Sequence, residues 1–294
     1  MNIIEKIKNR INGDAARKLI INLKLISQCD FSNMSGIISF FCGYKAEMNY
    51  RYKQIRRKYY DSKKNIYNFN GVKIPDESHE FSYFFEDLVF AFDDIINPMI
   101  FKKKTYIEEG PYEDENVVVT EGDIVFDCGA NMGIFSAVAA ARRCKVYAFE
   151  PVPKTLQYLL KTAEMNENIE ICPFALTDRN TDILITVPEE HAGGSSFVMN
   201  RDGKNVIVKG ITLDSFVKEN NIMKVDFIKT DIEGAERYLL MGAKEILSKF
   251  SPKLSICTYH LPDDPEVLEK LIKEANPNYI IKQGEHKLYA YVPK

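Results

Sequence analysis

The chain of 294 residues has 45% hydrophobic and 28% charged side chains, an ordinary globular composition with enough residues for a sizeable core. With a formal net charge of −3, the chain has no overall positive charge to attract nucleic acid, and no nucleic-acid partner is expected. The charge is unevenly divided, +4 over residues 1–110 and −7 over the remainder, which predicts two regions with different surfaces.

Cysteine spacing and the N-terminal pattern indicate the compartment. Six cysteines lie far apart without a CxxC pair, which argues against a zinc knuckle or disulfide framework and favours buried thiols in a reducing environment. The N-terminus alternates charged with apolar residues and lacks the apolar run of a signal peptide. The longest apolar-leaning stretch, residues 31–44, is too short to span a bilayer. We therefore predict a cytoplasmic location.

Residues 1–110 are predicted to form a smaller α-rich region. Asn70-Gly71 predicts a hairpin within residues 65–75, and residues 84–96 have the pattern of an amphipathic helix. Residues 44–64 carry eight basic residues and five tyrosines. That mixture is typical of a solvated helix whose tyrosines face the core, or of a weak contact with an anionic glycan or a membrane surface.

From about residue 117, short apolar strands alternate with helical patterns, which predicts a mainly parallel sheet with helices on both faces. An alternating pattern around a Gly/Ser-rich tip predicts an inserted hairpin at about 181–210, and a final hairpin makes the last strand antiparallel. The predicted strands are 123–129, 145–150, 168–176, 224–231 and 252–260, with two more within 279–292. The predicted helices are 132–143, 152–166, 212–221, 234–250 and 262–276.

The turn after the first of these strands, GANMG at 129–133, distinguishes two kinds of ligand. A dinucleotide fold has GxGxxG there and an acidic residue about 20 positions on. Glu150 fits the acidic position, but Asn131 replaces the glycine that would let the backbone approach a pyrophosphate. Asp127 before the turn would repel phosphate and attract an ammonium group. The loop therefore favours a ligand with a ribose, a positive charge and no phosphate, as in S-adenosylmethionine.

Several blocks resemble the FkbM-type S-adenosylmethionine-dependent methyltransferases over roughly residues 110–260. They are GDIVFDCGANMGIFS with VYAFEPVPKTLQYL, then TLDSF, then IKTDIEGAERYLLMGAKEIL. The resemblance implies a class I, Rossmann-like methyltransferase domain at 111–294. The α-rich region 1–110 lies outside the resemblance, and we expect it to set the acceptor. It also implies O-methylation of a carbohydrate-like acceptor: a glycan, a lipopolysaccharide or capsule sugar, or a glycosylated natural product.

The family's roles transfer to matching positions of the cofactor loop. Asp127 and Gly129 would lie against the methionyl part of S-adenosylmethionine, and Asn131 and Gly133 would shape the loop beneath it. Glu150 would accept both ribose hydroxyls, which suits the two oxygens of an ionised carboxylate.

Two further positions complete the predicted cofactor site. Ala175, between Phe174 and Leu176, would border the adenine. The segment EGPYE at 109–113, which contains Tyr112, resembles segments that precede the first motif in some family members.

The candidate catalytic residues follow from strand ends. Asp127, Glu150, Asp231 and His260 each close a predicted strand, and such ends meet at one rim of a parallel sheet. Methyl transfer to a hydroxyl needs a proton acceptor, which typically adds about 10²–10⁴-fold to the rate. We predict Asp231 and His260 as the base and its orienting partner, in either order. Glu233 would bind the acceptor or complete a carboxylate/histidine metal site.

One departure from the family pattern argues against a metal. Many members have a glutamate near the end of the strand before the histidine, where this chain has Cys257. The departure weakens any metal site or base that would be built on that glutamate; no metal ligand is predicted, and metal dependence stays open. His191 is expected to be a solvated loop residue, and His79 and His286 structural residues.

Alternatives remain at this point. Asp231 and Glu233 could serve a helix dipole, and His260 could be a surface histidine. A nicotinamide-dependent oxidoreductase would need the missing GxGxxG motif, and a binding module without turnover would share the cofactor residues. The oligomeric state is not predicted.

Overall fold

The structure is a computed structural model and describes residues 44–79, 84–102, 111–188, 194–199 and 202–293. Tyr59–Phe84 and Phe90–Lys294 form one compact unit; the other, as far as it is described, holds residues 44–58 and 85–89. Within these ranges no helix combines the length and apolarity needed to cross a membrane. The division at residue 110 and the cytoplasmic location stay predictions. His191 and residues 1–43 of the predicted α-rich region lie outside the described residues.

The first described elements are α1 (Tyr44–Tyr59), the antiparallel strands β1 (Tyr60–Asp61), β2 (Ile66–Phe69) and β3 (Val72–Pro75), and α2 (Phe84–Ala91). Asn70 and Gly71 have φ of 55° and 102°, so the Asn-Gly hairpin between β2 and β3 is confirmed. The helix predicted over residues 84–96 is also present, although a π-helical turn forms its second half (Phe92–Ile96).

The remaining elements alternate as predicted. The strands are β4 (Ile124–Cys128), β5 (Lys145–Phe149), β6 (Ile169–Cys172), β7 (Ala175–Leu176), β8 (Thr181–Val187), β9 (Lys204–Ile211), β10 (Phe227–Thr230), β11 (Lys253–Cys257), β12 (Ile280–Gln283) and β13 (Lys287–Tyr291). The helices are α3 (Ile134–Ala141), α4 (Pro153–Met165), α5 (Leu213–Glu219), α6 (Glu236–Met241), α7 (Lys244–Lys249) and α8 (Asp264–Ala275).

Seven strands form the central sheet in the order β12-β13-β11-β10-β4-β5-β6. β13 runs antiparallel to both of its neighbours and the other pairs are parallel, which confirms the predicted mainly parallel sheet with an antiparallel last strand. The chain moves outward from β4 through β5 to β6 and later returns to β10 on the other side of β4. The strand order therefore reverses between β4 and β10, the place where open α/β sheets bind ligands.

Two predicted elements are divided in the structure. The strand predicted over residues 168–176 breaks at Pro173, which has no N–H to donate to a ladder. Its second half, β7, joins β9 and β8 in a separate three-stranded sheet, so the inserted hairpin is attached to the domain through β7. The helix predicted over residues 234–250 is two helices separated at Gly242, where a side chain would overlap the Thr177 carbonyl.

The β2–β3 hairpin packs against the central domain. Asn166, just after α4, accepts a hydrogen bond from the Lys73 N–H at 3.1 Å and donates one to the Lys73 carbonyl at 2.7 Å. The Tyr158 hydroxyl of α4 donates to the Pro75 carbonyl. Residues that the sequence grouped with the N-terminal region therefore contact the same unit as the central sheet.

The thiol prediction holds for the described cysteines. Cys128, Cys144, Cys172 and Cys257 are all buried and unbridged. Edge-on aromatic contacts among Phe126, Phe149 and Phe216 fill the core beside them.

The ends of β4 and β10 approach so closely that Gly129 is required between them. A methyl group on Gly129 would overlap the Asp231 carbonyl, and its φ is +79°. Gly122 has nearly the same φ, +81°, but a methyl group there would meet nothing within 4 Å.

These two glycines form a matched pair for mutation. An alanine at either position would be destabilised by about 1–2 kcal/mol, because its Cβ is strained in left-handed backbone. We expect the steric overlap to lower the free energy of unfolding of Gly129→Ala by about 1–3 kcal/mol more. Chemical denaturation measures this difference. Equal destabilisation by Gly122→Ala would contradict the close approach of the two strand ends.

Candidate active site

The loop after β4 is shaped by three alternate residues with left-handed backbone, Gly129 (φ 79°), Asn131 (φ 47°) and Gly133 (φ 80°). Glycine and asparagine tolerate this region best. The N–H groups of Gly129 and Ala130 both donate to the Phe149 carbonyl, at 3.0 and 2.9 Å. The Asn131 N–H then donates to Glu150 Oε2 at 3.1 Å. The loop is thereby fixed to the end of β5.

Glu150 is held in place from two sides. Its Oε1 accepts the Val152 N–H at 2.9 Å, opposite the bond from Asn131. The residue is only 6% exposed, and burial raises the pKa of its carboxyl to about 7. Both oxygens retain lone pairs for further donors, as ribose binding would require.

Asp127 lies behind the loop, fully buried, and faces Lys229 in register across β4 and β10. Its Oδ1 lies 3.1 Å from Lys229 Nζ, and its Oδ2 accepts the Ser136 hydroxyl at 2.6 Å. Burial lowers the pKa of Lys229, but Asp127 and Asp231 outweigh burial and raise it to about 12. The expectation that Asp127 attracts a cationic ligand is therefore corrected, because Lys229 already neutralises it.

Asp231, just after β10, is stabilised as an anion. Its Oδ2 accepts the Tyr112 hydroxyl at 2.6 Å and its Oδ1 the Tyr259 hydroxyl at 3.2 Å. Burial raises the pKa of Asp231, but Lys229, His260 and Lys287 outweigh it and lower that pKa. Tyr112, predicted as a cofactor residue, holds this carboxylate, and its ring lies 5.2 Å from Lys229 Nζ.

His260 is enclosed by carboxylates. Its Nδ1 lies 3.2 Å from Glu236 Oε1, and its Nε2 lies 3.5 Å from Asp231 Oδ1 and 3.7 Å from Glu233 Oε2. The side chain is 3% exposed, so His260 is not a surface histidine. Burial lowers the pKa of His260, but these carboxylates outweigh burial and raise it to about 9.

The structure brings most predicted residues to one cleft at the switch point. Gly129, Glu150, Ala175, Asp231 and Glu233 line it. The other predicted residues do not line it: Tyr112, Asp127, Asn131, Gly133 and His260. Three residues of the inserted hairpin also line the cleft, and the sequence did not predict them. They are Ile185, Ser195 and Phe197.

Sequence reasoning missed Lys229, Glu236 and Tyr259. A lysine within the apolar strand FIKT is a signal by itself, since a buried charge needs a partner. Glu236 stands within the quoted motif DIEGAE, but its burial against His260 depends on tertiary contacts. Tyr259 carried no separate signal.

A parallel sheet with this strand order, an antiparallel β13 and a cleft beside an acidic β5 end defines the Rossmann-like methyltransferase class. The family model described as "Methyltransferase FkbM domain" matches residues 127–280. The chain therefore belongs to the FkbM methyltransferase family, whose methyl donor is S-adenosylmethionine, the cofactor that the sequence predicts.

Known proteins resemble the chain over part of their length. The hexuronic acid methyltransferase AglP of Haloferax volcanii is 28% identical over 156 residues, which cover 53% of this chain and 63% of the relative. The FkbM methyltransferase structure from Methylobacillus flagellatus KT has 18% identity and a TM-score of 0.47, and the match covers 84% of this chain and 59% of that one. Aeropyrum pernix fibrillarin with natively bound S-adenosylmethionine has 15% identity, coverages of 59% and 68%, and a TM-score of 0.37. The chain thus matches less than two thirds of the first two proteins.

The Asp127–Lys229 pair can be tested through stability. Lys229→Met leaves a buried carboxylate without its counter-charge, and we expect a loss of about 3–5 kcal/mol in the free energy of unfolding. Urea denaturation measures it. The double variant Asp127→Asn/Lys229→Met should recover part of the loss, and strictly additive losses would contradict the pairing.

The pKa of Glu150 predicts pH-dependent cofactor binding. With a pKa of about 7, the carboxylate is mostly protonated near pH 6 and mostly ionised near pH 8. Because ribose hydroxyls donate best to the ionised form, S-adenosylhomocysteine should bind about 10-fold more weakly near pH 6 than near pH 8 in calorimetry.

Two variants distinguish this effect from a loss of folding at low pH. Glu150→Gln should bind weakly with little pH dependence, and Glu150→Ala should lose more than about 10-fold in affinity at either pH. Glu121→Gln, at an exposed residue paired with Arg143, serves as the control and should behave as wild type. An unchanged wild-type affinity across this range would contradict the role of Glu150.

Proposed function

We propose that the chain transfers the methyl group of S-adenosylmethionine to a hydroxyl of a carbohydrate acceptor. The observation that carries this proposal is that Asp231 and Glu233 line the same cleft as Glu150. A cofactor whose ribose lies on Glu150 would therefore share the cleft with an acceptor held by the two other carboxylates. A binding module would have no need of that second pair.

We assign the cofactor roles from the residues that line the cleft. Glu150 would accept the ribose hydroxyls, and the apolar walls Phe174 and Ala175 would border the adenine. Gly129 would lie against the methionyl part because no side chain there obstructs the approach. Asn131 and Gly133 would hold the loop conformation. Asp127, paired with Lys229, and Tyr112, bonded to Asp231, would stabilise the site without lining the cleft.

In the transfer, the acceptor oxygen forms a bond to the methyl carbon while the bond from that carbon to sulfur breaks, leaving S-adenosylhomocysteine. The hydroxyl proton passes to the Asp231 carboxylate, which lines the cleft. His260 acts as a positioning residue, since its Nε2 lies 3.5 Å from Asp231 and its side chain is nearly inaccessible. Holding donor and acceptor in line supplies much of the rate, since effective molarities reach about 10⁵–10⁸ M.

The acceptor class is supported by the relative named a hexuronic acid methyltransferase, which the chain matches over 63% of that relative's length. We propose a sugar acid within a glycan as the acceptor. Phe197 and Ser195 of the inserted hairpin would contact it, because loops over a rigid scaffold often set specificity. Exposed Lys53, Arg57 and Lys58 on α1 are compatible with weak binding to an anionic glycan.

The acceptor is tested with methyl-labelled S-adenosylmethionine and two glycan sets, one containing uronic acids and one neutral. We expect label in the uronic-acid set, in a form stable to mild alkali, as an ether is. Alkali-labile label would indicate a carboxyl ester and contradict transfer to a hydroxyl. No label in either set would contradict the acceptor class.

The catalytic roles are tested by separating turnover from binding. Asp231→Asn should lower kcat by about 10²–10⁴-fold, the usual contribution of a general base, with S-adenosylhomocysteine affinity retained. His260→Ala should lower kcat less and change its pH profile. His286→Ala, at a histidine that does not line the cleft and whose ring lies edge-on to Tyr259, is the matched control. Equal loss of kcat and cofactor affinity in Asp231→Asn would contradict the assignment.

A further inference from the structure

Two tyrosine hydroxyls bind the Asp231 carboxylate, one on each oxygen. The Tyr112 hydroxyl donates to Oδ2 at 2.6 Å, and the Tyr259 hydroxyl donates to Oδ1 at 3.2 Å. The Asp231 side chain is 21% exposed, so part of the carboxylate can be reached from the cleft that it lines. Because a general base must present an oxygen to the acceptor, the two tyrosines decide which oxygen the acceptor meets.

Tyr112 is fixed from several sides. It is only 4% exposed, and the centroid of its ring lies 4.2 Å from Lys287 Nζ and 5.2 Å from Lys229 Nζ. Ammonium groups at these distances attract an aromatic ring through cation–π interactions. The carbonyl of Pro111, the preceding residue, accepts the Tyr289 hydroxyl of β13, which holds the backbone. The hydrogen bond from Tyr112 to the carboxylate is therefore part of the folded interior.

Tyr259, just after β11, has a different environment. It is 37% exposed, and its hydrogen bond to Asp231 is the longer of the two. The His260 ring lies against the Tyr259 ring with centroids 4.3 Å apart, and the His286 ring meets it nearly at right angles at 6.0 Å. More than a third of the residue still faces solvent. An exposed aromatic ring whose hydroxyl contacts the proposed base is suited to contact a ligand of that base.

We propose that Tyr259 binds the acceptor sugar: its exposed ring packs against the sugar, and its hydroxyl gives up Asp231 Oδ1 to the acceptor hydroxyl. The longer and more exposed hydrogen bond is the one that exchanges at lower cost, because water already competes for its partners. His260 Nε2 lies 3.5 Å from the same oxygen, but its side chain is 3% exposed and does not reach the acceptor. Oδ1 is then the atom that receives the hydroxyl proton.

The chemistry of Tyr259 matches that of a sugar ring. A sugar carries C–H groups on its ring faces and hydroxyls around its edge, and tyrosine combines an apolar ring with a polar tip. Dispersion contacts between the ring and the C–H groups add up over the shared face. The hydroxyls meanwhile have carboxylates to donate to, since Asp231 and Glu233 line the cleft. The inference rests on the proposed function and deepens it, because it names a residue that would recognise the acceptor.

The two tyrosines form a matched pair for kinetics with methyl-labelled S-adenosylmethionine and the uronic-acid glycans. Tyr259→Ala should raise the acceptor KM by at least about 10-fold with kcat nearly unchanged, because binding shared by ground and transition states is lost. Tyr259→Phe keeps the ring and removes the competing hydroxyl, so the acceptor KM should fall by about 2–10-fold. Tyr112→Phe should instead lower kcat by about 10–100-fold with little change in KM, because Asp231 loses a fixed donor.

A second measurement needs no turnover. The chain contains no tryptophan, so Tyr259→Trp places a single fluorophore at the proposed contact. With S-adenosylhomocysteine present, this variant is titrated with oligosaccharides of glucuronic or galacturonic acid and then with neutral malto-oligosaccharides. We expect a saturable change in emission with the uronic-acid set. Tyr60→Trp, on β1 and away from the cleft lining, is the control and should show no change.

The outcomes separate this inference from the proposed function. A wild-type acceptor KM in Tyr259→Ala, or a raised one in Tyr259→Phe, overturns the role of Tyr259 while methyl transfer by the wild type leaves the proposed function standing. No saturable emission change with any of these glycans also overturns it. A saturable change without methyl transfer supports the sugar contact and counts against the proposed function. Retained S-adenosylhomocysteine binding shows that a variant is folded, and Tyr259→Phe carries the test if Tyr259→Ala does not fold.

Discussion

The buried ion pair between Lys229 and Asp127 is the interaction on which the rest of the site depends. It joins the two central strands in register at the point where strand order reverses. Lys229 Nζ also donates to the Gly129 carbonyl at 2.7 Å, so one ammonium group holds both strand ends and the start of the loop after β4. Because a buried charge is costly without its partner, the two strands cannot easily change register.

The same pair also influences two carboxylates of the cleft, Asp231 and Glu150. Lys229 also favours the anionic form of Asp231, as Lys287 and His260 do, while the Tyr112 hydroxyl fixes its orientation. The loop from Gly129 runs to β5, where backbone N–H groups hold both oxygens of Glu150. The Glu150 and Asp231 carboxylates, which follow the strands on either side of β4, thus line one cleft.

The inserted hairpin contacts the residues that line this cleft. It is attached through β7, and its tip bonds to the loop after β10, where the Ser196 hydroxyl donates to the Glu233 carbonyl at 2.7 Å. Glu233 itself has a φ of +55°, an unusual value for glutamate that directs its side chain beside His260. A change in the hairpin would therefore alter the Glu233 side of the cleft while the strands that hold the loop after β4 stay unchanged.

The sequence by itself determined the alternating strands and helices, the antiparallel last strand and the tight loop at 129–133, because periodicity and turn residues are local signals. It also named Glu150, Asp231 and His260 as candidates because strand ends in a parallel sheet converge, and Glu233 because it follows two residues after Asp231. Tertiary structure alone decided that β7 leaves the central sheet and that Asp127 is neutralised by Lys229. It alone also brought Glu236 against His260. These outcomes depend on burial and on contacts between residues about 100 positions apart, such as Lys229 and Gly129, which no local pattern records.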